Sequence, residues 1–397
     1  MNPIDNPYAP GAGSPPPELA DRDPLLEAAG VALERIRHGR SAKSLMLVGL
    51  RGVGKTVLML AMRQRAQLSG LETIWIEAPE DRSLPAALAP ELRVALLRLS
   101  RKERARDAAQ RAIRALAGFV SAVRVKYGDI EVSIDAPSEP GLADSGDLEH
   151  DLQSLLEAAA LAARADESAL VLFIDELQYV PEEQLAALIT ALHGAAQERL
   201  PVTLIGAGLH LLRARMGRAK SYAERMFDFA EIGPLRDRAA RAALVVPAEA
   251  LGVRYEPAAL DLILSETQGY PYFLQEWGKH AWNVAEQSPI TRDDVELASL
   301  TARAELDASF FRVRIDRLTP AEKRYLRAMA ALGPGPHRSG DVAEALGRIV
   351  TSLGPVRQRL IEKGMIYSPN HGDVAFTVPL FDEFMRRIMP GDDWRNA

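Results

Sequence analysis

Two apolar rhythms alternate along this chain. Residues 44–48, 72–77, 169–174, 202–206 and 229–232 are short runs rich in Val, Ile, Leu and Phe. The third is apolar without a break, as a strand buried on both faces of a parallel sheet should be. Between these runs lie longer segments whose apolar residues recur every three or four positions. Leu26, Ala29, Leu33 and Ile36 mark a helix over 25–38, either packed beside the site described below or simply a leading helix. Leu185, Leu188, Ile189 and Leu192 mark another over 181–199, with Pro181 at its first position and acids in its first turn. A long Ala-, Leu- and Arg-rich helix is expected over 84–116, and an amphipathic one over 147–164. Strands alternating with helices predict a five-stranded parallel α/β core.

Three stretches break this rhythm. Residues 1–17 are rich in Pro, Gly and Asn and read as a disordered tail. Residues 123–134 alternate apolar and polar around Gly128-Asp129, which predicts a hairpin. That hairpin is either a solvated decoration or a surface for a partner. From 235 to 306 the pattern is helical throughout, interrupted by the turn Gly269-Tyr270-Pro271, with Thr291 as a cap. The last segment opens with Thr319-Pro320, a cap followed by proline. Short helices near 341–346 and 355–363 and two strands around Asn370-His371-Gly372 follow. Three helices and a hairpin predict a winged helix. Its second short helix would present Arg357, Arg359 and Lys363 to double-stranded DNA. Glu362 among them leaves protein contact as the other reading.

Composition narrows this picture. A chain of 397 residues exceeds one ordinary core, and 47% hydrophobic with 26% charged residues is that of a soluble globular protein. No apolar run is long enough to cross a bilayer, and the start shows no secretory-signal pattern. With no cysteine, disulfides and thiolate metal sites are excluded, which suits the cytoplasm. Seven histidines with no pair at ligand spacing argue against a structural metal site. A net charge of −6 excludes a globally basic nucleic-acid coat, though not a local basic face.

The chemistry centres on Gly49-Leu50-Arg51-Gly52-Val53-Gly54-Lys55-Thr56, lying between the first strand and a helix. This context turns G-x-x-x-x-G-K-[ST] into a phosphate site. Gly49, Gly52 and Gly54 let the chain fold tightly. Amides from Gly49 through Val53 to Val57 can then face a phosphate at a helix N-terminus. Lys55 supplies charge for the β- and γ-phosphates, and Thr56 a hydroxyl for Mg²⁺. The 169–174 strand ends in Asp175-Glu176. Acids at the carboxyl end of a buried strand lie where open α/β sheets bind ligands. Asp175 would hold Mg²⁺ through water, and Glu176 would polarise the attacking water. A strand between the two motifs, and no guanine-reading Asn-Lys-x-Asp, favour ATP. Arg225 is the candidate cation for the γ-phosphate, or else a surface or ion-paired arginine.

These residues resemble bacterial AAA+ ATPases of the origin-recognition and STAND-like group. The resemblance covers roughly residues 18–390 and rests on five stretches: 49–56, 173–178, 202–208, 220–225, and 269–273 with Trp277. It implies domains at 18–233 (core, with an 84–146 insert), 234–306 (helical lid) and 307–390 (winged helix), before a short tail at 391–397. A small lid after the sheet would let one nucleotide touch two bodies. Gly269-Tyr270-Pro271 is similar to the Gly-x-Pro turn of STAND proteins, whose proline lies by the nucleotide, so Tyr270 and Pro271 are expected there. Arg22, in Asp21-Arg22, stands where relatives carry a Gly-Arg pair before the adenine pocket. Three departures point to slow turnover: Gly206-Ala207-Gly208 lacks a polar sensor, the lid turn lacks a sensing arginine, and Asp21 replaces glycine. The expected function is an ATP–Mg²⁺ switch with slow hydrolysis, in a monomer or an oligomer. The alternatives are an ATP-gated DNA-binding regulator or loader, and a signalling scaffold with an unknown protein partner.

Overall fold

The computed structural model describes residues 1–11, 19–78, 82–127, 134, 136–391 and 393–395. It divides into two compact units, one of Arg22–Gly49 with Lys55–Ile232, the other of Met1–Asp21, Leu50–Gly54 and Gly233–Ala397.

In the first unit, strands β1 (Ser44–Gly49), β2 (Glu72–Glu77), β3 (Leu170–Asp175), β4 (Val202–Gly208) and β5 (Phe227–Ile232) form one sheet in the order β2-β3-β4-β1-β5. Every pairing is parallel. β3 is buried at all its positions, which is why its sequence runs apolar without alternation. The helices are α1 (Asp23–Arg37), α2 (Lys55–Leu68), α3 (Leu84–Ser100), α4 (Arg106–Tyr127), α5 (Leu148–Ala165), α6 (Glu182–Gln197), α7 (Leu211–Ala219) and α8 (Ala223–Met226). Leu92, Phe119, Leu155 and Leu188, from α3 to α6, join β3 in one large core.

Two expectations are corrected here. The helix expected over 84–116 is broken, because Lys102 leaves helical geometry. Its ammonium pairs with Asp166 at 2.5 Å and Glu72 at 3.5 Å. The first arm of the expected hairpin is helical: α4 buries Ala112, Leu116, Phe119 and Val123 along one stripe, carrying the helix to Tyr127. The rest of that hairpin, apart from Ile134, lies outside the described residues.

The second unit holds α9 (Asp237–Glu249), α10 (Pro257–Thr267), α11 (Pro271–Val284) and α12 (Arg292–Glu305), then a π-helical turn over Leu306–Phe311 and α13 (Arg312–Ile315). Next come α14 (Pro320–Ala331), β6 (His337–Arg338), α15 (Ser339–Ala345), α16 (Val350–Glu362), β7 (Ile366–Tyr367), β8 (Asp373–Phe376) and α17 (Phe381–Ile388). The three strands form an antiparallel sheet in the order β6-β8-β7. Phe273 packs on Phe310 and Phe311, and Phe311 on Phe381 and Phe384, so one aromatic run joins α11 to α17.

Residues 1–11 are not the disordered tail that their composition predicts. Tyr8 is buried; its hydroxyl donates to the Leu244 carbonyl and accepts from Tyr255. The Trp282 indole N–H donates to the Asn2 carbonyl at 2.9 Å. Gly278 makes room for this, since a Cβ there would meet the Tyr8 ring at 2.8 Å. Two aromatic anchors offset the ordering cost of a polar segment. Of the remaining expected tail, residues 12–18 lie outside the described residues.

Candidate nucleotide-binding site

β1 delivers Gly49, and α2 begins at Lys55, so the glycine loop spans the strand-to-helix turn that the sequence predicts. Gly52 and Gly54 take φ of +79° and +92°, a region side chains disfavour. The first turn of α2 carries no acid, leaving its amides and helix dipole for an anion. Lys55 is only 6% exposed, and its Nζ donates to the Gly49 carbonyl at 3.0 Å. An ammonium at the start of a helix that follows a glycine loop is placed to reach a phosphate.

At the end of β3, Asp175 is 3% exposed. The Thr56 hydroxyl donates to Asp175 Oδ2 at 2.5 Å, and the Glu176 amide to Oδ1 at 2.8 Å. One buried carboxylate thus holds both the start of α2 and the residue that follows its own strand. Glu176 has φ +53°, a left-handed conformation that costs a non-glycine residue about 1 kcal/mol or more. The strained turn leaves the Glu176 carboxylate half-buried, accepting from the Gln178 amide group.

Gln178 is the residue the sequence reading passed over. It is buried, and its Oε1 also accepts from the Leu209 amide at 3.0 Å, just beyond β4. Its side chain therefore ties the Glu176 carboxylate to the end of β4. The same packing explains why that strand end lacks a polar side chain. A Cβ on Gly208 would lie 2.7 Å from Gln178 Oε1, and one on Gly206 2.4 Å from Leu177 Cδ1 and 2.7 Å from Met46 Sδ. Only the spacing Asp175-Glu176-Leu177-Gln178 hinted at this, and nothing local to Gln178 predicts its reach.

In the other unit, Leu50–Gly54 groups with the elements after Gly233. The Tyr270 hydroxyl shares its one proton between the Arg51 carbonyl and the Thr377 carbonyl, the latter at 3.1 Å. Burial raises the Tyr270 pKa, keeping this donor protonated. The Tyr272 amide donates to the Gly52 carbonyl at 3.4 Å. Pro271 occupies the first turn of α11 directly behind them. The Arg314 guanidinium lies 3.6 Å from the Phe310 ring centroid, and burial followed by the nearby Arg51 charge lowers its pKa. The sequence did not single out Arg314.

The remaining candidates are placed differently. Arg225 is exposed on α8, and no hydrogen bond or ion pair joins it to Lys55, Asp175 or Glu176 among the described residues. Arg22 precedes α1 at its N-cap. Arg359 Nε lies 3.4 Å from Glu322 Oε1, and Lys363 Nζ lies 2.8 Å from Glu322 Oε2. Glu322 is fully buried in the first turn of α14, so Arg359 on α16 and Lys363 at its C-cap both face their own unit. Arg357 donates to Ser368 and lines a groove of about 560 Å³ with Val350, Leu353 and His371.

The loop, the buried Asp175 and the strand order define a P-loop ATPase fold. Residues 18–205 match the family described as "AAA ATPase domain", and residues 308–385 match a domain of unknown function (DUF8462). The AAA ATPase match is thus confined to residues 18–205. The Walker-type ATPase PABY2304 of Pyrococcus abyssi superposes with a TM-score of 0.58 at 16% identity, covering 93% of this chain and 96% of its own. Aeropyrum pernix Orc1, solved in complex with DNA, gives 0.48 at 17% identity with 94% of each chain covered. A point variant of Thermotoga maritima RuvB gives 0.46 at 15%, covering 90% of this chain and 93% of its own. No curated protein sequence matches this chain. No helix among the described residues is long and apolar enough to cross a membrane.

Proposed function

We propose that this protein binds ATP with Mg²⁺, hydrolyses it slowly, and uses the nucleotide as a conformational switch. The observation that carries the reading is the Thr56–Asp175 hydrogen bond of 2.5 Å, with Lys55 buried one residue away. The donor set fits the expected groups: the hydroxyl and carboxylate are hard oxygen ligands suited to Mg²⁺, and Lys55 with the loop amides suits phosphate. When bound, Mg²⁺ would offset charge on the β- and γ-phosphates.

The chain's own residues do the rest. Lys55 offsets charge building on the transferring phosphoryl group. Glu176 orients a water and takes its proton as the new O–P bond forms and the β–γ bridging O–P bond breaks. Gln178, hydrogen-bonded to the Glu176 carboxylate, holds that base in place. An apolar β4 end and an exposed Arg225 leave fewer cations and donors around the reacting phosphate, which supports slow turnover. Glu176→Gln is expected to retain ATP affinity and lose about 10²-fold or more in turnover. Hydrolysis at the wild-type rate would remove Glu176 as the base.

The switch reading draws support from Tyr270, one hydroxyl shared by Arg51 in the glycine loop and Thr377 after β8. ATP and ADP would bias the unit only through different contacts at that loop. The α14–α17 segment, with its three-stranded sheet, suits a winged helix. Pairing of Arg359 and Lys363 with Glu322, and the groove beside Arg357, favour a protein partner over DNA for it. A DNA-binding regulator would instead show affinity whose salt slope falls on removing Arg357.

A further inference from the structure

Glu276 and His280 sit four residues apart on α11 and so share one face. α12 ends in Glu305 and places it against them. One ligand atom from each residue lies within 4.8 Å of the other two. Glu276 Oε1 accepts from the Tyr272 hydroxyl at 3.1 Å, while its Oε2 is buried without a hydrogen bond. Glu305 Oε1 accepts from Lys279 at 2.9 Å, while its Oε2 lies 2.9 Å from His280 Nε2. That ring nitrogen is also buried and makes no hydrogen bond of acceptable geometry. The Glu276 side chain is 3% exposed and that of His280 is 9% exposed. Each carboxylate thus has one oxygen fixed by an outer partner and the other turned toward the imidazole, as ligands around a metal are arranged.

We propose that Glu276, His280 and Glu305 form a divalent-cation site of the Zn²⁺ class that fastens α11 to α12. Two carboxylate oxygens and one imidazole nitrogen are three protein ligands, leaving a position for water. The imidazole favours Zn²⁺ over Mg²⁺ or Ca²⁺, which take oxygen ligands. Lys279 Nζ is the competing cation, 3.9 Å from Glu276 Oε2 and 2.9 Å from Glu305 Oε1. It neutralises one of the two carboxylate charges and leaves the other for the ion. Glu305, 43% exposed, is the open side through which an ion enters. Scattered histidines argued against a structural metal site; that expectation missed a site whose third ligand comes from the next helix.

The full chain, stripped with a chelator and freed of nucleotide and Mg²⁺, is titrated with Zn²⁺ by calorimetry and with Co²⁺ by visible absorbance. The expected result is one ion per chain, a d–d band for Co²⁺, and at least tenfold weaker binding in Glu276→Gln and His280→Gln. His38→Gln, at an exposed histidine, should bind as wild type does. If the buried variants fail to fold, Glu305→Gln makes the same comparison at a more exposed position. Wild type that binds neither ion, or well-folded variants that bind as tightly as wild type, would overturn the site and leave a buried ion-pair cluster. Because nucleotide is absent, either result leaves the ATP reading untouched.

Discussion

Tyr270→Phe isolates the coupling that the switch requires. The substitution keeps the ring, which is 1% exposed and packs 5.3 Å from Phe273, and so opens no cavity. It removes one hydroxyl that donates to two carbonyls, those of Arg51 and Thr377. One hydroxyl carries one proton, so the two contacts form a single shared hydrogen bond worth about 1 kcal/mol net, and a buried carbonyl left bare costs about 1 kcal/mol more. The expected loss is therefore about 2 kcal/mol, roughly a thirtyfold shift in any equilibrium that depends on both contacts. Urea denaturation reads the stability, and hydrogen exchange at residues 365–378 with ATP or ADP reads the coupling. The variant should unfold at lower urea with an unchanged m-value, and the ATP–ADP difference in exchange should shrink. A stability loss under about 0.5 kcal/mol, or an undiminished nucleotide-dependent difference, would refute the role given to this hydroxyl.

Two further outcomes follow from the packing. Gly206→Val drives its added atoms into Leu177 and Met46, so it should cost about 1–3 kcal/mol in denaturant melts; pairing it with Leu177→Ala should recover part of that loss. Glu322→Gln breaks a buried carboxylate's pairs with Arg359 and Lys363 while leaving an acceptor for the Thr319 capping box, for an expected loss of about 2–4 kcal/mol. Burial alone would raise the Glu322 pKa, but hydrogen bonds from Lys363 and Thr319 hold it below the usual carboxylate value. The unfolded chain therefore takes up this proton first as pH falls. Glu322's contribution is complete above about pH 5 and is lost as pH drops through 4 and below its native pKa. Wild type should show that acid loss, and Glu322→Gln a flatter profile.

What was legible in the sequence was whatever a local pattern encodes. All five strands, the glycine loop, Lys55, Thr56 and the Asp175-Glu176 pair stand where apolar runs and motif spacing put them. The errors came where a distant partner decides. Lys102 leaves its helix for Asp166 and Glu72, and α4 continues to Tyr127 because its buried stripe does. Residues 1–11 look disordered in composition, yet Tyr8 finds Leu244 and Tyr255 more than 230 positions away. Arg314 gave no signal and Gln178 only its spacing from Asp175, since their significance lies in what folding sets beside them. Arg359 and Lys363 read as a basic face until Glu322 arrives from another helix.

Isothermal titration of Mg-ATP into well-folded wild type and Lys55→Ala tests the central claim most directly. Wild type should bind one ATP per chain, and Lys55→Ala should bind at least about a hundredfold more weakly, since it loses a buried charge directed at the phosphates. No heat with wild type, or equal affinity in the two proteins, would contradict it.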